Sequence, residues 1–206
     1  MTRSYDQLCG IARALDLIGE RWTLLIMRDL LLGPLRFGEL LELEEGIGAN
    51  LLSKRLKSLI ERGWVVDERR GRERIYSATR EGERLRPVLL ALGAFGGAYL
   101  DPSAPVRRRL SWFVFSMQRR LRPTAPPVCV RLIDDAQRMF VIRTSDPIEV
   151  RRGDSVGVDV EVQASFPVLA EWLVRGTSWR TLQDDGRMQV TGDEAAVERF
   201  VNALER

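Results

Sequence analysis

Histidine is absent from this chain, and only two cysteines and two lysines occur in its 206 residues. Without histidine the usual general base, Ser–His catalytic arrangements and most zinc sites are excluded, so neither an enzyme nor a bound cofactor is expected. Cys9 and Cys129 lie far apart and give no disulfide framework or paired-cysteine metal spacing, which fits a reducing cytoplasm. No run of about 18 uncharged apolar residues is present. The first ten residues, Met1 to Gly10, carry neither a long apolar run nor a cleavage-like site. A cytoplasmic chain with no membrane partner is therefore expected. The two adjacent aspartate pairs, Asp134-Asp135 and Asp184-Asp185, read as solvated turns without a partner nucleophile.

A balance of 45% hydrophobic and 30% charged residues is that of a globular chain, large enough for one large domain or two of about 100 residues each. The formal charge is only +3, so attraction to nucleic acid must come from where the charges stand. Both lysines, Lys54 and Lys57, fall on one short segment, and Arg69-Arg70-Gly71-Arg72-Glu73-Arg74 follows shortly after.

Ile11, Ala14, Leu15 and Ile18 recur at helical spacing, and Trp22 to Leu32 is apolar nearly all round, closing at Gly33-Pro34. A third short helix carries Phe37, Leu40 and Leu41, and a fourth runs from about Ala49 to Arg62. At about 100° per residue, Leu51, Leu52, Leu56, Leu59 and Ile60 share one face of it, and Asn50, Ser53, Lys54 and Lys57 the other. Trp64–Arg69 and Ile75–Ala78 read as a hairpin with a basic tip. Thr79 and Glu83 then open a helix whose stripe of Leu85, Val88, Leu89, Leu92, Phe95 and Tyr99 exceeds what one small core needs. Asp101-Pro-Ser-Ala-Pro105 breaks the pattern, giving a division into residues 1–100, a linker 101–109, and 110–206. The rear part reads as α+β: a helix over Leu110–Leu121, strands over Val128–Leu132, Met139–Thr144, Ile148–Arg151, Gly157–Val162 and Arg187–Thr191, and helices over Phe166–Val174, Trp179–Asp184 and Glu194–Leu204.

Helix, turn, amphipathic helix and basic hairpin, in that order, is the arrangement of a winged helix on double-stranded DNA. Asn50 suits adenine, Lys54 and Lys57 suit guanine or phosphate, and Ser53 suits either. Arg70, Arg72 and Arg74 suit phosphates or the minor groove. Taken singly, each feature reads equally well as a solvated face; the ordered set is what points to DNA.

The ordered string carries a family resemblance. It runs from Cys9-Gly-Ile-Ala through Arg21-Trp-Thr-Leu-Leu-Ile26, Arg28-Asp-Leu30 and Gly33-Pro-Leu-Arg-Phe37. It continues in Gly46-Ile-Gly-Ala-Asn-Leu-Leu-Ser-Lys-Arg-Leu-Lys-Ser-Leu59, Gly63-Trp-Val65, Tyr76 and Thr79-Arg-Glu-Gly82. About half the chain thus resembles the HxlR-type winged-helix regulators. The resemblance implies a homodimer on short inverted repeats, with Arg36, Gly48 and Ala49 joining Asn50, Ser53, Lys54, Lys57 and the wing arginines at the DNA. It also implies a dimer interface of Leu8, Ile11, Leu15, Val88, Leu89, Leu92, Phe95 and Tyr99. The chain departs from the family at Gly10, where Pro is frequent, and at Gly48, where Ser is frequent and would cap the helix. Some relatives sense oxidants or electrophiles through the N-terminal cysteine, which makes Cys9 a candidate sensor, with Arg13 one turn on to lower its pKa; a structural cysteine is the alternative.

The rear half resembles the sterol-carrier-protein-like fold. The resemblance rests on Val158-Asp-Val-Glu-Val162, the Phe166–Val174 helix, Gly176, and Asp185-Gly-Arg-Met-Gln-Val-Thr-Gly-Asp193. It implies an apolar cavity for a small-molecule or lipid-like effector, lined by Trp112, Phe115, Phe140, Val162, Phe166, Trp172, Leu173, Trp179 and Met188. A filled core, a dimerisation scaffold or a carrier module are the alternatives.

Overall fold

α1 (Gly10–Ile18) and α2 (Thr23–Leu30) are separated at Gly19, where a Cβ would stand 2.5 Å from the Leu15 carbonyl oxygen. Only a residue without a side chain lets the chain turn there. The computed structural model describes residues 4–101 and 108–204, and the chain divides into two compact units, Met1–Ala91 and Leu92–Arg206. Most of the expected linker, 101–109, lies outside the described residues.

In the first unit α2 is the central helix, with Ile26, Met27 and Leu30 buried, followed by buried Leu31 and Leu32. A two-residue strand β1 (Leu35–Arg36) leads into α3 (Phe37–Leu43), α4 (Ala49–Glu61) and the hairpin β2 (Val65–Arg70) and β3 (Glu73–Ala78). These strands form an antiparallel sheet in the order β1-β3-β2, with Leu35 opposite Tyr76 and Val65 opposite Ala78. The alternation Val65 buried, Val66 exposed is the period of a strand with one covered face. A buried ionic knot ties α2 to the end of α3: the Arg28 guanidinium is 2.8 Å from Asp29 and 2.8 Å from Glu44, both carboxylates inside. Charges survive burial only in such mutual company.

The helix expected to run unbroken from Thr79 to Tyr99 is two helices, α5 (Arg80–Glu83) and α6 (Arg86–Gly97). The cause is Pro87, which lacks an N–H and whose ring would strike a carbonyl one turn earlier, so it is tolerated only in a first turn. Thr79 Oγ1 accepts the Gly82 N–H at 3.1 Å and donates to the Gly63 carbonyl at 2.6 Å, capping α5. At Gly82 a Cβ would stand 2.2 Å from the Trp64 carbonyl oxygen, so glycine is what lets α5 sit against the start of β2.

The second unit begins within α6 and continues with α7 (Leu110–Met117), a 3-10 turn Gln118–Arg120, and the strands β4 (Cys129–Ile133), β5 (Met139–Arg143), β6 (Glu149–Arg152) and β7 (Val160–Ala164). After these come α8 (Phe166–Ala170), α9 (Trp179–Asp184), β8 (Met188–Gly192) and α10 (Glu194–Asn202). The sheet order is β6-β5-β4-β7-β8; β4 and β7 are parallel and every other neighbouring pair is antiparallel. Val130, Leu132, Phe140, Ile142, Val150, Val160 and Val162 are all buried. The single helix expected over Phe166–Val174 is an α-turn that opens into a π-helical turn, Glu171–Arg175, ended by Gly176 at φ +74°. Asp134 corrects another expectation. It is 0% exposed, accepts the Ala136 and Arg138 N–H groups at 3.0 and 2.9 Å, and pairs with the Arg138 side chain at 2.7 Å. It is a buried, satisfied carboxylate that holds the β4–β5 turn, not a solvated one.

Candidate nucleic-acid interface and rear cleft

α4 divides its residues sharply. Leu52, Leu56 and Leu59 are buried, Leu51 and Ile60 flank them half-buried, and Asn50, Ser53, Lys54 and Lys57 are exposed on the opposite side. Gly48 and Ala49 are exposed at its start, where Gly48 holds extended backbone (φ −77°, ψ 149°) and offers no side-chain cap. The first N–H groups of α4 are thus left open at the end of the helix that carries partial positive charge. Arg55 leaves the outward face and turns back to the α1–α2 turn, donating to the Arg21 carbonyl at 3.1 Å and pairing with Glu20. Lys57 stands 3.9 Å from Glu61, one turn on, and Lys54 has no ion-pair partner among the described residues.

The wing is less bare than its arginines imply. Arg70 pairs with Glu68 at 3.6 Å, Arg74 with Asp67 at 3.2 Å across the two strands, and Arg36 of β1 with Glu73 at 2.7 Å. From Asp67 to Arg74, four arginines against three carboxylates leave one net positive charge. All three pairs sit at the surface, where each is worth about 0–1 kcal/mol, so a phosphate can replace the carboxylate. Gly71 takes φ +64° at the first of two turn positions, the pattern of the hairpin turn that matches strand twist, and it holds Arg72 exposed at the tip.

Apolar surface is concentrated on two helices. Ile11 and Leu15 of α1 and Leu8 before it are exposed, and Val88, Leu92, Phe95 and Tyr99 are exposed along and after α6, with Phe95 69% and Tyr99 76% accessible. The Phe95 and Tyr99 rings lie 5.3 Å apart and tilted. Leu89, named with them from the sequence, is buried. Cys9 precedes α1 and is exposed; the amides of Ala12 and Ile11 hold its thiol pKa below the ordinary value. The helix start, rather than Arg13, supplies that effect.

In the second unit, a cleft of about 220 Å³ is lined by Trp172, Leu173, Val174, Trp179, Val201 and Leu204 with Gly176, Thr177, Ser178, Arg180 and Glu198. Three of the nine residues expected to line a cavity, Trp172, Leu173 and Trp179, meet there. Phe115, Phe140, Val162 and Met188 are buried elsewhere in the unit. Trp112 and Phe166 are half-buried, and Phe166 meets Phe113 edge-on at 5.7 Å. Arg180 and Glu198 were missed by the sequence reading, since a charged pair on two helices 18 residues apart has no local signature. Trp179 Nε1–H donates to Glu198 at 3.0 Å and Arg180 donates to the same oxygen at 2.5 Å. These two bonds, the indole's first, hold the Glu198 pKa below the usual carboxylate range.

A helix with a free polar face, set beside a β-hairpin in one three-stranded unit, defines a winged helix-turn-helix. The family model for HxlR-like helix-turn-helix proteins matches residues 17–104. A Bacillus subtilis HTH-type transcriptional regulator, YodB, is 33% identical over 97 residues, which are 45% of this chain and 86% of that protein. Another from the same organism, YvaP, is 34% identical over 95 residues, 44% of this chain and 87% of that protein. An uncharacterised HTH-type regulator of Mycobacterium tuberculosis is 38% identical over 103 residues; the match takes in 47% of this chain but only 63% of the mycobacterial protein's length. Among solved structures, the reduced form of YodB from B. subtilis is 29% identical with a TM-score of 0.41, covering 48% of this chain and all of that one. The chain belongs to the HxlR-like helix-turn-helix family. Among the described residues, no helix is long and apolar enough to cross a membrane.

Proposed function

We propose that this protein is a cytoplasmic, homodimeric, sequence-specific DNA-binding transcription regulator that carries no catalytic activity. Family membership supports DNA-binding regulation, and the outward face of α4 carries the reading. Asn50, Ser53, Lys54 and Lys57 face solvent there while the opposite leucines anchor the helix, which leaves the donors and acceptors of that face free for base edges in the major groove. Arg36, Arg70 and Arg74 then exchange surface carboxylates for phosphates as the wing closes on the backbone, with Arg72 reaching it from the tip. Two copies join through Leu8, Ile11 and Leu15 and through Val88, Leu92, Phe95 and Tyr99, because exposed large apolar side chains of this kind are costly to leave in water. The DNA site is accordingly a short inverted repeat with half-sites about one or two helical turns apart.

The second unit is proposed as the effector module, of sterol-carrier-protein-like kind. The helix–strand–strand–strand–crossover–strand order, the parallel β4–β7 pair and the Trp172–Trp179 cleft support this. A ligand there acts only if it binds one DNA-binding state of the dimer more tightly than the other.

Selection from a random-sequence duplex pool tests the reading, with an enriched inverted repeat as the expected result. Loss of any sequence preference sinks it. A second reading is favoured by Cys9 alone. An exposed thiol whose pKa is lowered by helix amides is the form that reacts with electrophiles, and a Cys9→Ser variant that still releases DNA on treatment with a quinone removes it.

A further inference from the structure

At the rear cleft a buried aromatic ring, two carboxylates and a cation of the chain's own meet. The Trp179 ring is buried and fixed by its bond to Glu198. The Arg180 guanidinium lies over that ring, 4.4 Å from its centroid, and is held by Glu198 at 2.5 Å and Glu194 at 3.1 Å. An aromatic face with carboxylates beside it attracts cations through the ring quadrupole and direct charge. Arg180 is half-exposed and both of its partners face solvent, and exposed ion pairs hold weakly.

Charge and volume define the occupant. Arg180 against Glu194 and Glu198 leaves one net negative charge at this corner. Glu171 nearby is already closed by Arg187 at 2.6 Å, and Arg175, between two lining residues, is not itself part of the lining. A carboxylate headgroup would therefore meet repulsion where an ammonium meets attraction. The volume of about 220 Å³ is below the roughly 300–1,000 Å³ of sites for drug-sized molecules, which rules the occupant small. The floor is apolar, from Trp172, Leu173, Val201 and Leu204. The π-helical turn and the left-handed Gly176 curve the chain around it, an irregularity that recurs at binding sites.

We infer that the cleft binds a small organic cation, an ammonium or guanidinium on a compact apolar or aromatic body, and that Arg180 is a built-in placeholder which the ligand displaces from Trp179 and Glu198. The inference rests on reading the second unit as an effector module, and it narrows the effector to one charge type.

Three probes with one benzyl body and different head charge separate the possibilities: benzyltrimethylammonium, benzyl alcohol and phenylacetate, each titrated by calorimetry into the full chain. Binding is followed in parallel at the Trp179 indole N–H resonance, assigned by its loss in Trp179→Phe. The expected result is binding of the ammonium alone, with a shift of that resonance. Glu198→Gln, which keeps shape and removes charge, should weaken it about tenfold. Arg180→Ala should strengthen it by roughly threefold, since the competitor is gone. Unchanged melting temperatures of both variants show that the fold is intact. Preferential binding of phenylacetate or the alcohol, or weaker ammonium binding in Arg180→Ala, overturns the inference while leaving an effector site in the cleft. Binding of none of the three probes, together with no binding of a fluorescent fatty acid, overturns both.

Discussion

The two units place their cations in opposite ways. In the first, Lys54 has no ion-pair partner among the described residues, and Arg36, Arg70 and Arg74 rest in exposed, exchangeable pairs; in the second, Arg180 is folded back over Trp179 between two carboxylates. The difference is one of what is left on offer. A free or weakly held cation beside an open helix start invites a polyanion, whereas an aromatic ring and surplus carboxylate invite a cation. Net charge conceals this, since +3 for the whole chain describes neither surface.

The sharpest way to break the contrast is through the apolar stripe assigned to the proposed dimer. Phe95→Asp or Leu92→Asp should convert a dimer to monomers in sedimentation and lower operator affinity by orders of magnitude, because each half-site then binds alone. An intact protein that is monomeric at micromolar concentration contradicts the dimer. Next in size, Leu56→Ala should cost about 2–5 kcal/mol of unfolding free energy by leaving a cavity in the first unit's core. Across the same helix, Asn50→Ala should change stability by less than about 0.5 kcal/mol, which chemical denaturation of the two variants checks.

The face of α4 was legible because a helix declares its buried side by period alone: Leu52, Leu56 and Leu59 fixed where Asn50, Ser53, Lys54 and Lys57 must point. The same reasoning failed at α5 and α6, where the stripe of Leu85 to Tyr99 was read straight through Pro87 although the ring forbids it. β1 escaped because two residues have no period, and its partner Tyr76 is 41 positions away in sequence. The rear cleft was half-legible. Trp172, Leu173 and Trp179 do converge, but alternation along a strand tells which face of Phe140 or Val162 is covered, not where packing leaves a void. The Arg180–Glu198 contact was invisible since it is made by tertiary folding between α9 and α10.

Smaller effects sharpen the account of the wing. Arg74→Ala removes one phosphate contact, and the plot of log affinity against log salt should flatten by about one unit, with equal losses on specific and unrelated duplexes. An unchanged slope places Arg74 away from phosphate. Smallest is the behaviour of the two thiols. The helix amides that lower the Cys9 pKa let its thiolate form at lower pH than in an unstructured peptide, while burial raises that of Cys129. Alkylation by iodoacetamide should therefore reach Cys9 first, with a pH midpoint shifted below that of a free-cysteine peptide; mass spectrometry that finds Cys129 modified first contradicts this.

The most direct test is the discrimination of the α4 face itself. Fluorescence anisotropy at fixed salt should compare a selected inverted repeat with a scrambled duplex of equal length, for the wild-type chain, Asn50→Ala and Lys57→Ala. Loss of Asn50 is predicted to cost about 1–3 kcal/mol on the inverted repeat and nothing on the scrambled duplex, while a phosphate-bound Lys57 weakens both alike. Full discrimination retained by Asn50→Ala, Lys57→Ala and the double variant would show that α4 is not the element that reads the DNA.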